Sequence, residues 1–317
     1  MKIENLEDVF RHLPIRGETA FASARGKFQK KVKKQQLKYL KDHIVELQHV
    51  LEEGEEILLA ARGASPFTMV EQLTTGWWIY YIKRCLLVLT DRRLLHFPTN
   101  YRYKPRDSVA QIRFHDIEGF KGKRRVALRY KNGSKEAFSQ LRNGKRLVQL
   151  LKQLVTTSST SSQHGGRQHL CPRCVAPLAK ERFTCPRCRF EFKEPGTAKL
   201  YSIFLPGGGY FYTRHPWMGI GDAVTELVLM FFTFVFILQF YMSPEKDTAP
   251  LYVGLLFGAV LIVEKMITVY HSKHFIKEYI PLQKRFSRIP QPKPVSRTGI
   301  VDPSQDRYYE EERVTFE

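Results

Sequence analysis

From Leu227 to Met242 the chain runs sixteen residues without a charge, and a second apolar stretch follows from Ala249 to Tyr270. Begun at Ala223, the first stretch admits one charge, Glu226, and reaches about 20 residues, the length at which a helix crosses a bilayer. The second carries Glu264 and Lys265. Between them, Ser243 to Thr248 hold only Lys246 as a base, whereas Lys273, Lys277, Lys284, Arg285 and Arg288 follow the second stretch and Arg187, Arg189, Lys193, Lys199 and Arg214 precede the first. Basic flanks stay in the cytoplasm. The pattern therefore predicts an integral hairpin in an inner, cytoplasmic membrane, with spans of about 220–242 and 249–270, both termini inside and the short loop outside. A pair of buried helices in a soluble core is the alternative. Counted back from the loop at about 1.5 Å per residue, Glu226, Glu264 and Lys265 share one depth, which predicts a charge pair between Glu226 and Lys265.

A mean hydropathy of −0.33 hides these stretches, because the rest of the chain is strongly polar. The formal charge is +20, of which +15 falls in residues 1–155. That half is expected to face something anionic, lipid headgroups or nucleic acid. The start, Met1 to Ile15, is polar and mixed in charge, and no cleavable secretion signal is expected. Four of the five cysteines form two tight pairs, Cys171-Pro-Arg-Cys174 and Cys185-Pro-Arg-Cys188, ten residues apart. In a chain that is not exported this spacing predicts one tetrahedral, structural Zn²⁺ held by Cys171, Cys174, Cys185 and Cys188, since four thiolates leave no position for a reacting water. The segment resembles a zinc ribbon, with Val175 and Arg189 where a knuckle often has glycine. Phe183, Phe190 and Phe192 are expected to form its small core. Cys85 lies in an apolar run and reads as a buried small side chain.

Ahead of these segments, Arg25 to Lys41 holds eight bases and no acid, and Leu37, Leu40, Ile44, Leu47 and Leu51 recur at helical spacing. Residues 1–53 thus form a basic, amphipathic helical region: Lys30, Lys31, Lys33 and Lys34 face lipid, phosphate or solvent, and the apolar stripe packs on a neighbouring domain. Residues 54–155 predict an antiparallel sheet with breaks at Asp91-Arg92, Pro105 to Ser108 and Asn132-Gly133, followed by a helix with Leu147, Leu150, Leu151 and Leu154 on one face. Gly54-Glu55-Glu56-Ile57-Leu58 opening the first strand and Leu87 to Leu95 forming a central hairpin make this segment similar to bacterial pleckstrin-homology-like (PH-like) and GRAM-like domains. The resemblance implies a non-catalytic docking scaffold. Lys121, Lys123, Arg124 and Arg125, around Gly122, form a basic loop that could contact phosphate or a partner. Residues 156–169 read as a flexible linker and 170–195 as the ribbon.

Before the first span stands Leu205-Pro206-Gly207-Gly208-Gly209-Tyr210-Phe211-Tyr212, then Thr213-Arg214-His215, with Gly219 and Gly221 opening the helix. Residues 198–280 resemble the TM2 family of two-helix membrane hairpins, which implies an acidic position in the second helix, here Glu264. His271, His274 and Glu278 share a helical face, either a metal site or a wet interfacial helix. Residues 287–317, with Ile289-Pro-Gln-Pro-Lys-Pro, are expected to be disordered.

The fold class expected is a multidomain α+β membrane protein. The expected function is that of a non-enzymatic adaptor anchored by two spans, open to homo-oligomerisation, whose basic surfaces meet anionic lipid or a protein. A membrane-tethered nucleic-acid binder using the basic helix and ribbon is the first alternative. A small transporter or enzyme using the intramembrane charges is the second.

Overall fold

The computed structural model describes residues 6–22, 29–155, 166–244 and 247–283. Helices α1 (Leu6–His12), α2 (Gly17–Ala20), α3 (Lys30–Leu40) and α4 (Ile44–Val50) precede an antiparallel meander of β1 (Ile57–Ala64), β2 (Arg84–Thr90), β3 (Arg93–Pro98) and β4 (Val109–Arg113). A second antiparallel sheet, β5 (Ile117–Gly122), β6 (Val126–Tyr130) and β7 (Lys135–Phe138), is followed by helix α7 (Gly144–Val155). The first sheet is buried on both faces, which explains why β2 reads as a continuous apolar run rather than an alternating one. Leu86 and Val88 pack with Leu37, Leu40 and Leu47 of the helical layer, while Cys85, Leu87 and Leu89 pack with the second sheet and α7.

The stripe of α3 and α4 thus docks on the sheet. Its attachment is polar as well as apolar. The fully buried Gln36 side chain donates to the Ala60 carbonyl at 2.9 Å and accepts from the Ala60 amide at 2.7 Å, copying a strand's two bonds. Arg93 is also buried, with Nε and Nη2 donating to the Glu55 carboxylate at 3.0 and 2.8 Å and Nη2 to the Val50 carbonyl at 3.0 Å. At the β6–β7 turn Gly133 takes φ 81° and the Asn132 carboxamide oxygen accepts from the Ser134 amide at 3.0 Å, the local chemistry that Asn-Gly supplies.

The sheet expected within 54–155, with its three named breaks, is interrupted once more, between β1 and β2. Helix α5 (Met69–Thr75), a 3₁₀ turn at Gly76–Trp78 and helix α6 (Ile79–Ile82) are inserted there. Thr68 caps α5 in a capping box with Glu71, the side chain of each accepting from the other's backbone amide, at 3.1 and 2.8 Å.

The expected linker 156–169 also changes at its end. Strand β8 (Gln168–Leu170) adds to β4 and completes a five-stranded sheet, so the ribbon begins inside the preceding domain; residues 156–165 lie outside the described residues, as do 284–317, which hold the tail expected to be disordered.

After the ribbon come α8 (Pro195–Phe204), α9 (Gly208–Tyr212), α10 (Pro216–Met242) and α11 (Ala249–Ile276). Both long helices extend past the spans read from sequence, at 27 and 28 residues, and both are long and apolar enough to cross a membrane. They pack side by side, with Phe257 stacked on Phe232 and Phe236 at centroid distances of 5.3 and 5.9 Å and Gly254 in contact with Ile237. The remaining faces, including Phe231, Phe234, Leu256 and Ile262, point outward. The glycine run permits a close crossing beneath them. Gly207 has φ 65°, and a Cβ there would stand 2.1 Å from the Gly219 carbonyl oxygen.

Candidate metal centre and basic groove

The two Cys-Pro-Arg-Cys turns fold in the same way. In the first, the Val175 amide donates to the Cys171 carbonyl at 2.9 Å and the Cys171 amide to the Ala176 carbonyl at 2.8 Å. In the second, the Arg189 amide donates to the Cys185 carbonyl at 3.0 Å and the Cys185 amide to the Phe190 carbonyl at 2.8 Å. Val175 and Arg189, at φ 57° and 54°, occupy the left-handed region that glycine would adopt without cost. The sulfur atoms of Cys171, Cys174, Cys185 and Cys188 all lie within 4.8 Å of one another, and the Cys171–Cys188 and Cys174–Cys185 separations are both 3.6 Å. Four convergent thiols fit a tetrahedral metal ion.

The ribbon is bonded on both sides. β8 joins it to β4, and its far edge meets the chain just after α11, where the Lys193 amide donates to the Ile280 carbonyl at 2.9 Å and the Leu282 amide to the Glu191 carbonyl at 3.1 Å. Tyr279 completes the core of Phe183, Phe190 and Phe192; its hydroxyl donates to the Ala179 carbonyl at 2.6 Å. Nearby, Arg167 stands 3.1 Å from Glu278 and 3.2 Å from Glu136, and its Nη1 lies 3.1 Å from His96 Nδ1. Burial pushes the His96 and His169 rings down, His169 to about 4, and the Arg167 charge adds to it. Burial opposes ionisation of Glu278 too, yet Arg167 and the two histidines hold its carboxyl well below the usual range. Two further contacts tie the sheet domain to the foot of α10: Arg106 Nη1 to His215 Nε2 at 2.6 Å, and Arg214 to Asp107 at 3.6 Å.

The basic loop lies on an open groove of about 880 Å³. Lys123, Arg124 and Arg125 line it, joined by Arg142 and Lys145, with Phe67, Gln72 and Tyr80 of the β1–β2 insertion as another part of the wall. Among the described residues, no carboxylate lines it. A close approach builds this geometry: a Cβ at Gly144 would stand 1.9 Å from the Lys123 carbonyl oxygen, so the start of α7 is pressed against the loop. Lys121 sits on β5 and does not line the groove, and neither do Lys30, Lys31, Lys33 and Lys34, which lie at the start of α3. The basic residues named from sequence are therefore not gathered in one site. Lys33 Nζ instead lies over the Phe21 ring at 6.0 Å.

Between the two long helices, Lys265 Nζ donates to Glu226 Oε2 at 2.7 Å and to the Ser202 carbonyl of α8 at 3.0 Å. Asp222 accepts from Thr268 at 3.0 Å, and oxygens of Asp222, Glu226 and Glu264 lie within 4.8 Å of one another. His271, His274 and Glu278 do not converge on a metal. His271 is bonded by Tyr210 and Thr74, both at 2.7 Å; His274 Nδ1 meets the Tyr270 carbonyl at 3.0 Å; and Glu278 belongs to Arg167.

No family model, curated protein or solved structure matches the chain. Arg142, Lys145, Arg167 and Tyr279 had no local signature in the sequence. The insertion had one, Thr68-x-x-Glu71 followed by Gly76, outweighed by the aromatic and β-branched run Trp77 to Ile82.

Proposed function

We propose that the chain is a membrane-anchored, non-catalytic adaptor whose sheet domain reads anionic headgroups. In this reading α10 and α11 cross an inner membrane as a TM2-like hairpin with the short loop outside, and the PH-like sheet domain, the ribbon and both termini are cytoplasmic. The observation that carries it is a juxtaposition. A groove lined by five cations and, among the described residues, no carboxylate shares a wall with the insertion, and Thr68 and Thr74 of that insertion are bonded to Tyr270 and His271 near the far end of α11. About 20 residues of helix cross the hydrocarbon, which puts Tyr270 and His271, the twenty-second and twenty-third residues from Ala249, at the headgroup level. Guanidinium and ammonium groups there meet lipid phosphate at close range, and anchoring keeps even weak contacts engaged.

The ribbon supplies rigidity in this reading. Four thiolates within 4.8 Å of one another, two of their sulfur separations being 3.6 Å, fit Zn²⁺, whose tetrahedron of about 2.3 Å bonds has edges of about 3.8 Å. The ion would close a structural site that clamps β8 to the segment after α11. The lysines of α3 add longer-range attraction to the same anionic surface.

The test is titration of the full-length protein, in a neutral detergent, with dihexanoylphosphatidylglycerol and with dihexanoylphosphatidylcholine at two salt concentrations. The expected result is preferential, salt-weakened binding of the glycerol lipid that is lost in Lys123→Glu/Arg124→Glu/Arg125→Glu. Equal binding of both lipids, or binding indifferent to that charge reversal, would contradict the proposal. Binding of single-stranded nucleic acid in place of lipid would favour the tethered nucleic-acid binder.

A further inference from the structure

Helix α5 is amphipathic with its faces reversed. Its acid, Glu71, is 1% exposed and lies 3.0 Å from the buried Lys83, whereas Met69 and Leu73 are 76% and 73% exposed. Trp77 and Trp78 follow at 81% and 71% exposed, and Tyr81 also faces outward. From Gln72 to Ile82 there is no charged residue, since Glu71 and Lys83, which bracket the run, neutralise each other inside. A water-facing helix shows the opposite arrangement, and large contiguous apolar surface marks a site of contact.

We infer that residues 69–81 are seated in the interface of the inner leaflet, with lipid as the occupant, so that the sheet domain holds the bilayer through a wedge of its own. The inference rests on the reading of α10 and α11 as membrane spans. Continuity with those helices selects lipid over other occupants. Thr68 Oγ1 lies 2.9 Å from the Tyr270 hydroxyl and Thr74 Oγ1 2.7 Å from His271 Nε2, which fixes the insertion beside the inner end of α11. Trp and Tyr concentrate at that level, where an apolar ring meets lipid and its polar edge meets water. Helix α8 extends the same apolar belt: its Ser202 carbonyl accepts from Lys265, and Leu200, Ile203 and Phe204 point outward. Because Phe67, Gln72 and Tyr80 line the basic groove, seating the wedge brings Lys123, Arg124 and Arg125 to the depth of lipid phosphate.

The chain has three tryptophans, Trp77, Trp78 and Trp217, so fluorescence isolates the wedge from the hairpin. The full-length protein is reconstituted in nanodiscs of ordinary or brominated phosphatidylcholine as two variants. Trp217→Phe leaves the wedge as reporter; Trp77→Phe/Trp78→Phe leaves the foot of α10, and the side chains removed are all exposed. The expected result is severalfold quenching of both variants by brominated lipid and weak quenching of the wedge by aqueous iodide. If brominated lipid quenches Trp217 but not the wedge, and iodide quenches the wedge, the inference is overturned while the hairpin reading stands. A wedge shielded from both quenchers overturns it in favour of a covering protein or second copy. Loss of lipid quenching in both variants removes the hairpin reading and the wedge together.

Discussion

Arg167→Met is expected to unfasten the sheet domain from the segment that follows α11. Arg167 and Glu278 have side chains only 13% exposed, and the single guanidinium serves Glu136 and Glu278 at once. Its loss leaves two carboxylates half-enclosed without their cation beside His96, a loss of the kind that costs about 3–5 kcal/mol. Glu278→Gln keeps a hydrogen-bond acceptor and leaves Arg167 one carboxylate, so its cost is that of a charged bond made neutral, about 1.5–3 kcal/mol. In the double variant the arginine's loss no longer strands Glu278, and the two costs should fall short of additivity by about 1–3 kcal/mol. The sign of the pH effect follows from the same contact. A carboxyl held below its unfolded value contributes stability in full above that value, near 4.5, and loses it as pH falls toward the folded one. Acid should therefore destabilise the native chain through this site and spare Glu278→Gln that component. Equilibrium unfolding of the detergent-solubilised chain, read by near-ultraviolet circular dichroism, measures all four species. Additivity within about 0.5 kcal/mol, or an unchanged acid limb in Glu278→Gln, would refute the coupling.

Chelation of the metal proposed for the four cysteines is expected to release backbone protection on both sides of that segment, at Leu170 in β8 and at Lys193 and Leu282, while leaving β2 protected; hydrogen exchange by mass spectrometry checks this, and loss confined to residues 171–188 would contradict it. Arg189→Gly relieves a left-handed residue on an exposed knuckle and should raise ribbon stability by up to about 1 kcal/mol, the net of relieved strain and added chain entropy. A chelator-titration midpoint reads it, and a destabilised ribbon would show that the Arg189 side chain contributes more than its backbone costs. Lys265→Leu leaves Glu226 buried without its cation and should reduce stability by about 3 kcal/mol in the native background; an equal loss in a Glu226→Leu background would show that the two do not act as a pair.

Elements whose signal is local were legible in the sequence. The Asn132-Gly133 turn needs only its own two residues, the paired cysteine turns repeat within eighteen residues, and the two long helices declare themselves by length and missing charge. The apolar run Cys85 to Leu89 reads as a strand because both of its faces are covered. The remainder depends on contacts made far along the chain. Strand β8 is three residues whose identity as a strand comes from β4, and Tyr279 enters the ribbon core from more than eighty residues away. The groove combines a loop at Lys123–Arg125 with the start of α7 and a helix read as strand, so only its first part was visible. That helix misled because Trp, Tyr and Ile favour strands, and its outward apolar face has meaning only beside α11.

Everything proposed for the groove and the wedge depends on the two long helices crossing a bilayer, with the loop on one side and the sheet domain on the other. Labelling of intact cells with a membrane-impermeant maleimide tests this directly, using Thr248→Cys in the loop and Lys121→Cys on β5, both at exposed positions, with the native chain as background. Thr248→Cys should label in intact cells and Lys121→Cys only after permeabilisation. Labelling of both from the same side, or of Lys121→Cys alone in intact cells, would contradict it.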